Sequence, residues 1–394
     1  MNRSKLLFIC PNYPGLGGVE TVTGLLVDFF LAKDAEVFLL VSATSTAPHR
    51  HDAYLQRIPF PPNSTEYLRF VDAFIRDKGI DVVFNQGVFS QVHQHAFLHP
   101  NTRYINTLHA EPFWEIDRFM SRNVRTVWAE APNGLGRVKW LIRWTLGKLD
   151  SRLSHPFIRA WYRRQIEAST WYVVLDESHK ELLEKTLYHG VPQARIKVIP
   201  NPIAGAPCLE PIVKTQTVLY AGRLDHGQKR VDRLLRIWSK VEADFPEWDL
   251  QIAGQGEAET RLKALSASLG LQRVHFLGRR EMTELYRAAS ILCLTSTWEG
   301  LPLVIPEAQS QGVVPMVFGS IRALPRLIEP GRDGVVVPPF DEEAFAVALR
   351  EVMGDAALRQ RLSMGAIQRA GSFSLERIGE RWLTLLEQDP NDAP

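Results

Sequence analysis

The sequence predicts an α/β protein made of two doubly wound, Rossmann-like domains. Short Val/Ile/Leu-rich runs alternate with helical patterns along the whole chain, the order that lays helices on both faces of a parallel sheet. The 394 residues, 45% of them hydrophobic, exceed what one core usually serves. Between two series of such runs, VIPNPIAGAPCLEP (198–211) places four prolines in fourteen residues without periodicity, which reads as an interdomain linker.

Taken in order, KLLFIC (5–10), EVFLLVSA (36–43), DVVFNQG (81–87), TRYINTLHA (102–110) and WYVVLDES (171–178) read as strands, with VETVTGLLVDFFLAK and YLRFVDAFIRDKG as helices between them. A second series runs through TVLYAGRLD (217–225), WDLQIAGQG, VHFLG, ILCLTS, VPMVFG and GVVVPP, each followed by a helical stretch. The expected division is an N-terminal domain over 1–200, a linker over 201–213, a second domain over 214–373, and a helix with a tail over 374–394 that can pack back on the first domain. Ligands of such sheets bind outside the carboxyl ends of the strands, so the two domains are expected to face each other across a cleft.

Composition narrows the function. The formal charge of +2, from 46 basic and 44 acidic residues, excludes a dedicated nucleic-acid binder. Cys10, Cys208 and Cys293 lie far apart and form neither a zinc spacing nor a disulfide framework, which suits a reducing cytosol. The opening MNRSKLLFIC stops being apolar at Pro11, too soon for a secretory leader, and no run approaches the roughly 18 apolar residues of a membrane span. One stretch departs from this balance. From Arg122 to Arg164, ten Lys/Arg face two acids and interleave with Trp128, Trp140, Trp144 and Trp161. Helical spacing gathers Leu135, Val138, Ile142, Leu146, Leu149 and Leu153 into one stripe, with Arg137, Lys139, Trp140, Arg143, Trp144 and Lys148 around it. Two readings stand: a helix lying on an anionic membrane surface, or one packing on its own domain.

Four pieces can carry chemistry. PNYPGLGGVE places Gly15, Gly17 and Gly18 after the first strand and before a helix, where exposed N–H groups can cradle an anion; a plain tight turn has the same signature. His109 ends a strand of the first half, where a cleft-facing residue is expected. Arg223 follows Gly222 at the end of the first strand of the second series, and Lys229 lies six residues on. Together they can neutralise a diphosphate without a metal, and no D-x-D stretch offers ligands for one. TWEGLPLVIPEAQSQG (297–312) then sets Glu299 in a loop and Glu307 about one turn inside the next helix. There Glu299 can bond sugar hydroxyls and Glu307 a ribose diol; alternatively Glu299 caps the helix and Glu307 is solvated.

These motifs, in this order, resemble the retaining glycosyltransferases of family four, which have the GT-B fold. GRLDHGQKRVDRLL, the run from IAGQGEAETRL to EAQSQGVVP, and GRDGVVVPP are similar to that family's donor-binding half from about Thr217 to Pro339. NYPGLGGVE, LHAEP, VVLDESHKELL and VIPNPI resemble its looser N-terminal motifs. The resemblance implies that Glu299 bonds the donor sugar and Glu307 the ribose, that Arg223 and Lys229 grip the diphosphate, and that His109 stands near the transferred sugar. It places Gly17, Gly18 and Glu20 in a mobile loop beside donor and acceptor, Gly278 and Arg279 near the base, and Gly222, Gly254, Gly300, Leu301, Pro302 and Leu303 along the donor. Two departures touch the donor contacts: EGLPLVIPE stands where many members have a longer G-F-G-L-P after the first Glu, and HGQ fills a six-residue Arg-to-Lys step that is not the commonest.

The expected function is retaining, metal-independent transfer of a hexose from a nucleotide-diphosphate sugar, by analogy a UDP-sugar, to a glycan acceptor that is lipid-linked. Its expected place is cytoplasmic, peripheral on the inner face of the membrane. A GDP-mannose-dependent mannosyltransferase is the alternative donor reading; a non-catalytic nucleotide-binding assembly protein and a nucleotide-sugar epimerase are the alternatives of other classes. No cofactor, metal or nucleic-acid partner is expected.

Overall fold

The computed structural model describes residues 4–15, 17–43, 49–61, 64–87, 99–115, 138, 142, 145, 156–187, 191–205 and 213–388. The chain forms two units: Met1–Ile199 with Thr384–Pro394, and Pro200–Leu383.

The first unit holds a seven-stranded sheet of β1 (Lys5–Asn12), β2 (Glu36–Ala43), β3 (Leu55–Arg57), β4 (Val82–Gln86), β5 (Arg103–Leu108), β6 (Trp171–Val174) and β7 (Ile196–Val198). Every pairing is parallel and the order is β3-β2-β1-β4-β5-β6-β7. The second unit holds β8 (Thr217–Ala221), β9 (Asp249–Ala253), β10 (Val274–Gly278), β11 (Ile291–Leu294), β12 (Val314–Phe318) and β13 (Val335–Val337), all parallel, in the order β10-β9-β8-β11-β12-β13. Each sheet starts at its centre, winds outward to one edge, then returns and winds to the other. That is the doubly wound order, and it opens a crevice at the switch point: between β1 and β4 in one unit, between β8 and β11 in the other.

The strands formed where their composition requires it. β4, β6, β8, β11 and β12 are buried along their whole length, as strands covered on both faces must be, which explains their apolar runs; β4 alone of these ends in two buried amides, Asn85 and Gln86. Helix Thr65–Lys78 shows how the ends are set: the Ser64 hydroxyl accepts from Tyr67 N, and Gly79 closes it in a left-handed conformation at φ 63°. On one side of the first sheet Leu7, Ile9, Leu40, Val83 and Tyr67 form a core with this helix; elsewhere Phe8 stacks on Phe84 with ring centroids 4.6 Å apart. In the second unit, helix Val231–Ser239 buries Leu234, Leu235, Ile237 and Trp238, while Arg236 pairs with Asp232 and Glu342.

Several boundaries differ from the sequence reading. β3 and β7 are three-residue strands that no apolar run announces. The strand expected over 171–178 stops at Val174, because Asp176 turns the chain: its Oδ1 accepts Ser178 N at 2.9 Å ahead of helix Glu177–Leu187. Within the linker, Ile203 is tied down by a bridge to Ser374 and donates its N–H to Phe373 O at 2.9 Å. Helix Leu375–Glu387 crosses the division at Thr384, and Arg103 Nη1 donates to the Leu386 carbonyl within the first unit. Of the basic segment's apolar stripe, Val138 and Ile142 are described; both are helical and about half exposed, at 50% and 52%. Arg137, Lys139, Trp140, Arg143, Trp144 and Lys148 lie outside the described residues. Among the described residues no helix is long and apolar enough to cross a membrane.

Candidate active site

The second unit gathers its charged residues on the two loops that leave the switch point, after β8 and after β11. The loop after β8 is stitched to its neighbour: Gly222 N donates to Ala253 O at 3.0 Å and Leu224 N to Gln255 O at 2.9 Å. Gly254 lies at φ 150°, and a Cβ there would run into the Gly222 carbonyl, so only glycine lets the two loops approach. Asp225 then folds the loop on itself, its Oδ1 accepting from Gln228 N at 2.7 Å and Lys229 N at 3.0 Å. Thr297 N donates to Gln228 O at 2.7 Å, which locks this loop to the one after β11.

That framework brings Arg223, Gln228, Lys229 and Glu299 together. Lys229 Nζ lies 2.7 Å from Glu299 Oε1, and both side chains are largely buried, with exposures of 13% and 7%. Gln228 Nε2 donates to Glu299 Oε2 at 3.0 Å and to Trp298 O at 3.2 Å. The oxygen of the same amide accepts from Arg223 Nη2 at 3.0 Å. The Arg223 side chain is 72% exposed, so its guanidinium keeps most of its donors for a ligand. Tyr220 steadies the strand end beneath, its buried hydroxyl donating to Arg223 O at 2.7 Å, and burial holds that phenol protonated. The cluster therefore presents a fork of donors, an ammonium with unused protons, and a carboxylate with remaining lone pairs: the set that recognises an anion next to hydroxyls.

Glu307 is held separately. It sits in the first turn of helix Val304–Ser310, where Tyr286 from helix Met282–Ala288 donates to its Oε2 at 3.1 Å. Burial raises the Glu307 carboxyl above its ordinary range, the Tyr286 bond pulls it back down, and the charge of Glu281 pushes it further up. Leu301 and Leu303 are buried beside the loop, and Gly278 ends β10 at φ 65° with an exposed Arg279 after it.

In the first unit the glycine loop follows β1 and starts helix Gly18–Ala32, with Gly17 as a cap that has no side chain. Glu20 folds back over this loop so closely that a Cβ on Gly15 or Gly17 would collide with it. The carboxylate of Glu20 stands beside this loop, and the same charge, after burial itself, helps push the Cys10 thiol up to about 12. His109 follows β5 and lies against Gly87, the residue after β4, which takes φ 73°. Its Nε2 is 2.5 Å from Gln86 Oε1, a partner that fixes the ring. Just past β1, Tyr13 bonds His51, whose Nε2 lies 2.7 Å from Asp28 Oδ1; Asp28 also pairs with Arg50.

Sequence reasoning singled out Arg223, Lys229, Glu299 and Glu307 but missed Gln228 and Asp225, which hold the first three in place, and Tyr286, which holds Glu307. The pattern of the loop offered one usable signal, since DHGQK puts a turn-forming Asp ahead of the amide and the lysine. For Tyr286 there was none. Among the described residues no group of three or more His, Cys, Asp or Glu is arranged to hold a metal ion.

Two family models match the chain. Residues 16–204 match the model described as Glycosyltransferase Family 4, and residues 215–355 match the one described as Glycosyl transferases group 1. The chain is 35% identical over 180 residues to the Campylobacter jejuni GalNAc-alpha-(1->4)-GalNAc-alpha-(1->3)-diNAcBac-PP-undecaprenol alpha-1,4-N-acetyl-D-galactosaminyltransferase, covering 45% of this chain and 50% of that protein. It is 33% identical over 219 residues to an exopolysaccharide phosphotransferase of Streptomyces coelicolor, 55% of this chain and 23% of the relative. Among solved structures, Anabaena HepE in complex with UDP and glucose superimposes with a TM-score of 0.75 at 15% identity, over 98% of this chain and 100% of that one, which speaks to the fold. The matched families, the order of strands in both sheets and the residues at their switch points agree: the chain belongs to the family 4 glycosyltransferases and has the GT-B fold.

Proposed function

We propose that this protein transfers a hexose from a nucleotide-diphosphate sugar, a UDP-sugar, to a lipid-linked glycan acceptor in the synthesis of a cell-surface polysaccharide or lipopolysaccharide, with retention at the anomeric carbon and without a metal. The observation that carries this reading is the cluster of Arg223, Gln228, Lys229 and Glu299 at the β8/β11 switch point. As the bond to the sugar breaks, negative charge builds on the diphosphate. Arg223 and Lys229 are the cations available to meet it, and fixed charges in a partly desolvated site stabilise such a transition state strongly. Glu299 accepts from hydroxyls of the donor sugar; Glu307, once ionised, accepts from the ribose diol. The acceptor hydroxyl attacks from the face the diphosphate leaves.

The donor assignment is supported by the UDP and glucose found with the Anabaena structure, and the lipid-linked acceptor by the undecaprenol-linked substrate named for the Campylobacter relative. The half-exposed Val138 and Ile142, on a helix whose sequence is rich in Lys, Arg and Trp, support a peripheral position on the inner face of the membrane. The test is incubation with a panel of UDP- and GDP-sugars. Release of one nucleoside diphosphate matched by glycosylation of an acceptor supports transfer, and the nucleotide released separates a UDP-sugar donor from GDP-mannose. Binding without turnover would identify an assembly protein, and an isomerised sugar an epimerase.

A further inference from the structure

Gln228 uses every polar atom it has. Its N–H donates to Asp225 Oδ1 at 2.7 Å, its carbonyl accepts Thr297 N at 2.7 Å, its amide oxygen accepts Arg223 Nη2 at 3.0 Å, and its amide nitrogen donates to Glu299 Oε2 and Trp298 O. These partners also fix which end of the amide is which, because a guanidinium can only donate and a carboxylate can only accept. A neutral amide thus stands between an exposed cation and a buried anion, touching both.

We propose that Gln228 is a positioning residue that couples Arg223 to Glu299, so that the diphosphate and the transferred sugar are set in register with one another; this rests on the reading of the site as a donor site. The argument turns on Glu299. Its Oε1 is paired with Lys229, and a carboxylate next to an ammonium is free to rotate until both oxygens face the charge. The bond from Gln228 holds Oε2 away from Lys229, which leaves ammonium protons for a phosphate and lone pairs of Glu299 for sugar hydroxyls. Through its oxygen the same amide, at 3.0 Å a nearer partner than Asp225 Oδ2 at 3.8 Å, holds the guanidinium of an otherwise exposed Arg223 over the loop. An anion that recruits Arg223 therefore pulls on the group that aims Glu299.

Four substitutions separate coupling from simple structure. Gln228→Met keeps the length of the side chain and removes the bonds to Arg223, Glu299 and Trp298 O. It should lower kcat/KM for the active UDP-sugar by about tenfold to a hundredfold, the worth of one charge-assisted hydrogen bond, and weaken UDP alone by less. Arg223→Ala and Glu299→Ala should be non-additive by several-fold in the wild-type background and additive in the Gln228→Met background. Gln228→Glu keeps the Arg223 contact but sets a second carboxylate against Glu299. Its activity relative to wild type should rise as pH falls, because the protonated carboxyl can donate to Glu299 as the amide does; Gln228→Met should show no such recovery. Melting curves of each variant with and without UDP report whether it is folded. Additive effects in both backgrounds, or a Gln228→Glu profile parallel to wild type, overturns the coupling while leaving the donor site standing. A wild-type protein that turns over no nucleotide sugar overturns the donor reading and this inference with it.

Discussion

Replacing Lys229 by Met should destabilise the second unit as well as slow the reaction, and the size of the effect follows from the site. The Lys229–Glu299 pair is not a surface ion pair, which would contribute only about 0 to 1 kcal/mol; its side chains are 13% and 7% exposed and 2.7 Å apart. Removing one partner of a buried pair leaves the other charge uncompensated, at a cost of about 3 to 5 kcal/mol. Here Glu299 keeps one donor, Gln228 Nε2 at 3.0 Å, and a hydrogen bond to a charged group offsets roughly 1.5 kcal/mol of that loss. The remainder, about 1.5 to 3.5 kcal/mol, corresponds to a fall in melting temperature of roughly 3 to 14 °C for a unit spanning Pro200–Leu383. Adding Glu299→Gln should restore most of it, because the amide removes the stranded charge. Circular dichroism melts of wild type and the two variants, with urea titrations as a second measure, provide the comparison. A single variant that melts within about 1 °C of wild type, or a double variant no better than the single, would refute the claim that the buried pair organises this site.

Further outcomes follow from the same geometry. Arg223→Ala should lower turnover about a hundredfold or more with little change in melting temperature, since its side chain is exposed, and a chelator should leave wild-type activity largely intact; loss on EDTA treatment with rescue by Mg or Mn would contradict the metal-free reading. Glu307 has a raised carboxyl, so it holds its proton longer when folded: the stability it contributes is present at low pH and is lost as pH rises from about 4.5 through the folded value. The stability of wild type relative to Glu307→Gln should therefore fall across that window, and UDP affinity of wild type should rise with pH there, as calorimetry can measure. Glu299→Ala should spare UDP binding while depressing turnover, and Glu307→Ala should weaken UDP binding; the two phenotypes exchanged would reverse the roles. Reversing Arg137, Lys139, Arg143 and Lys148 to Glu should release the protein from anionic vesicles in a sedimentation assay, each Lys/Arg contributing about 1 kcal/mol near the surface, while nucleotide binding persists.

The fold was legible where physical constraint left a mark on composition. A strand buried on both faces must be largely apolar, so β4, β6, β8, β11 and β12 stood out, while β1, β2, β5, β9, β10 and β13, buried less completely, still carried enough Val, Ile and Leu to be read, and the order of motifs carried the family resemblance. β3 and β7 left no mark because three residues at the edge of a sheet need no apolar run. In the site, Arg223, Lys229 and Glu299 were visible as chemistry at strand ends, whereas Gln228 and Tyr286 act through contacts made only after folding: Gln228 lies 71 residues from Glu299, and Tyr286 lies 21 from Glu307. Glu20 is a further case. GLGGVE reads as an anion loop or a tight turn, and the position of the acid three residues beyond the Gly17 cap, folded back against the loop, is set only by folding.

The account stands most directly on the reaction itself. Wild-type protein incubated with each UDP- and GDP-sugar and an undecaprenol-pyrophosphate-linked glycan should consume one donor, release its nucleoside diphosphate in equal amount, and yield a product whose new linkage shows by NMR the anomeric configuration of the donor; Lys229→Ala should abolish this. Inverted configuration, or no transfer from any donor by a folded protein that binds UDP, would contradict it.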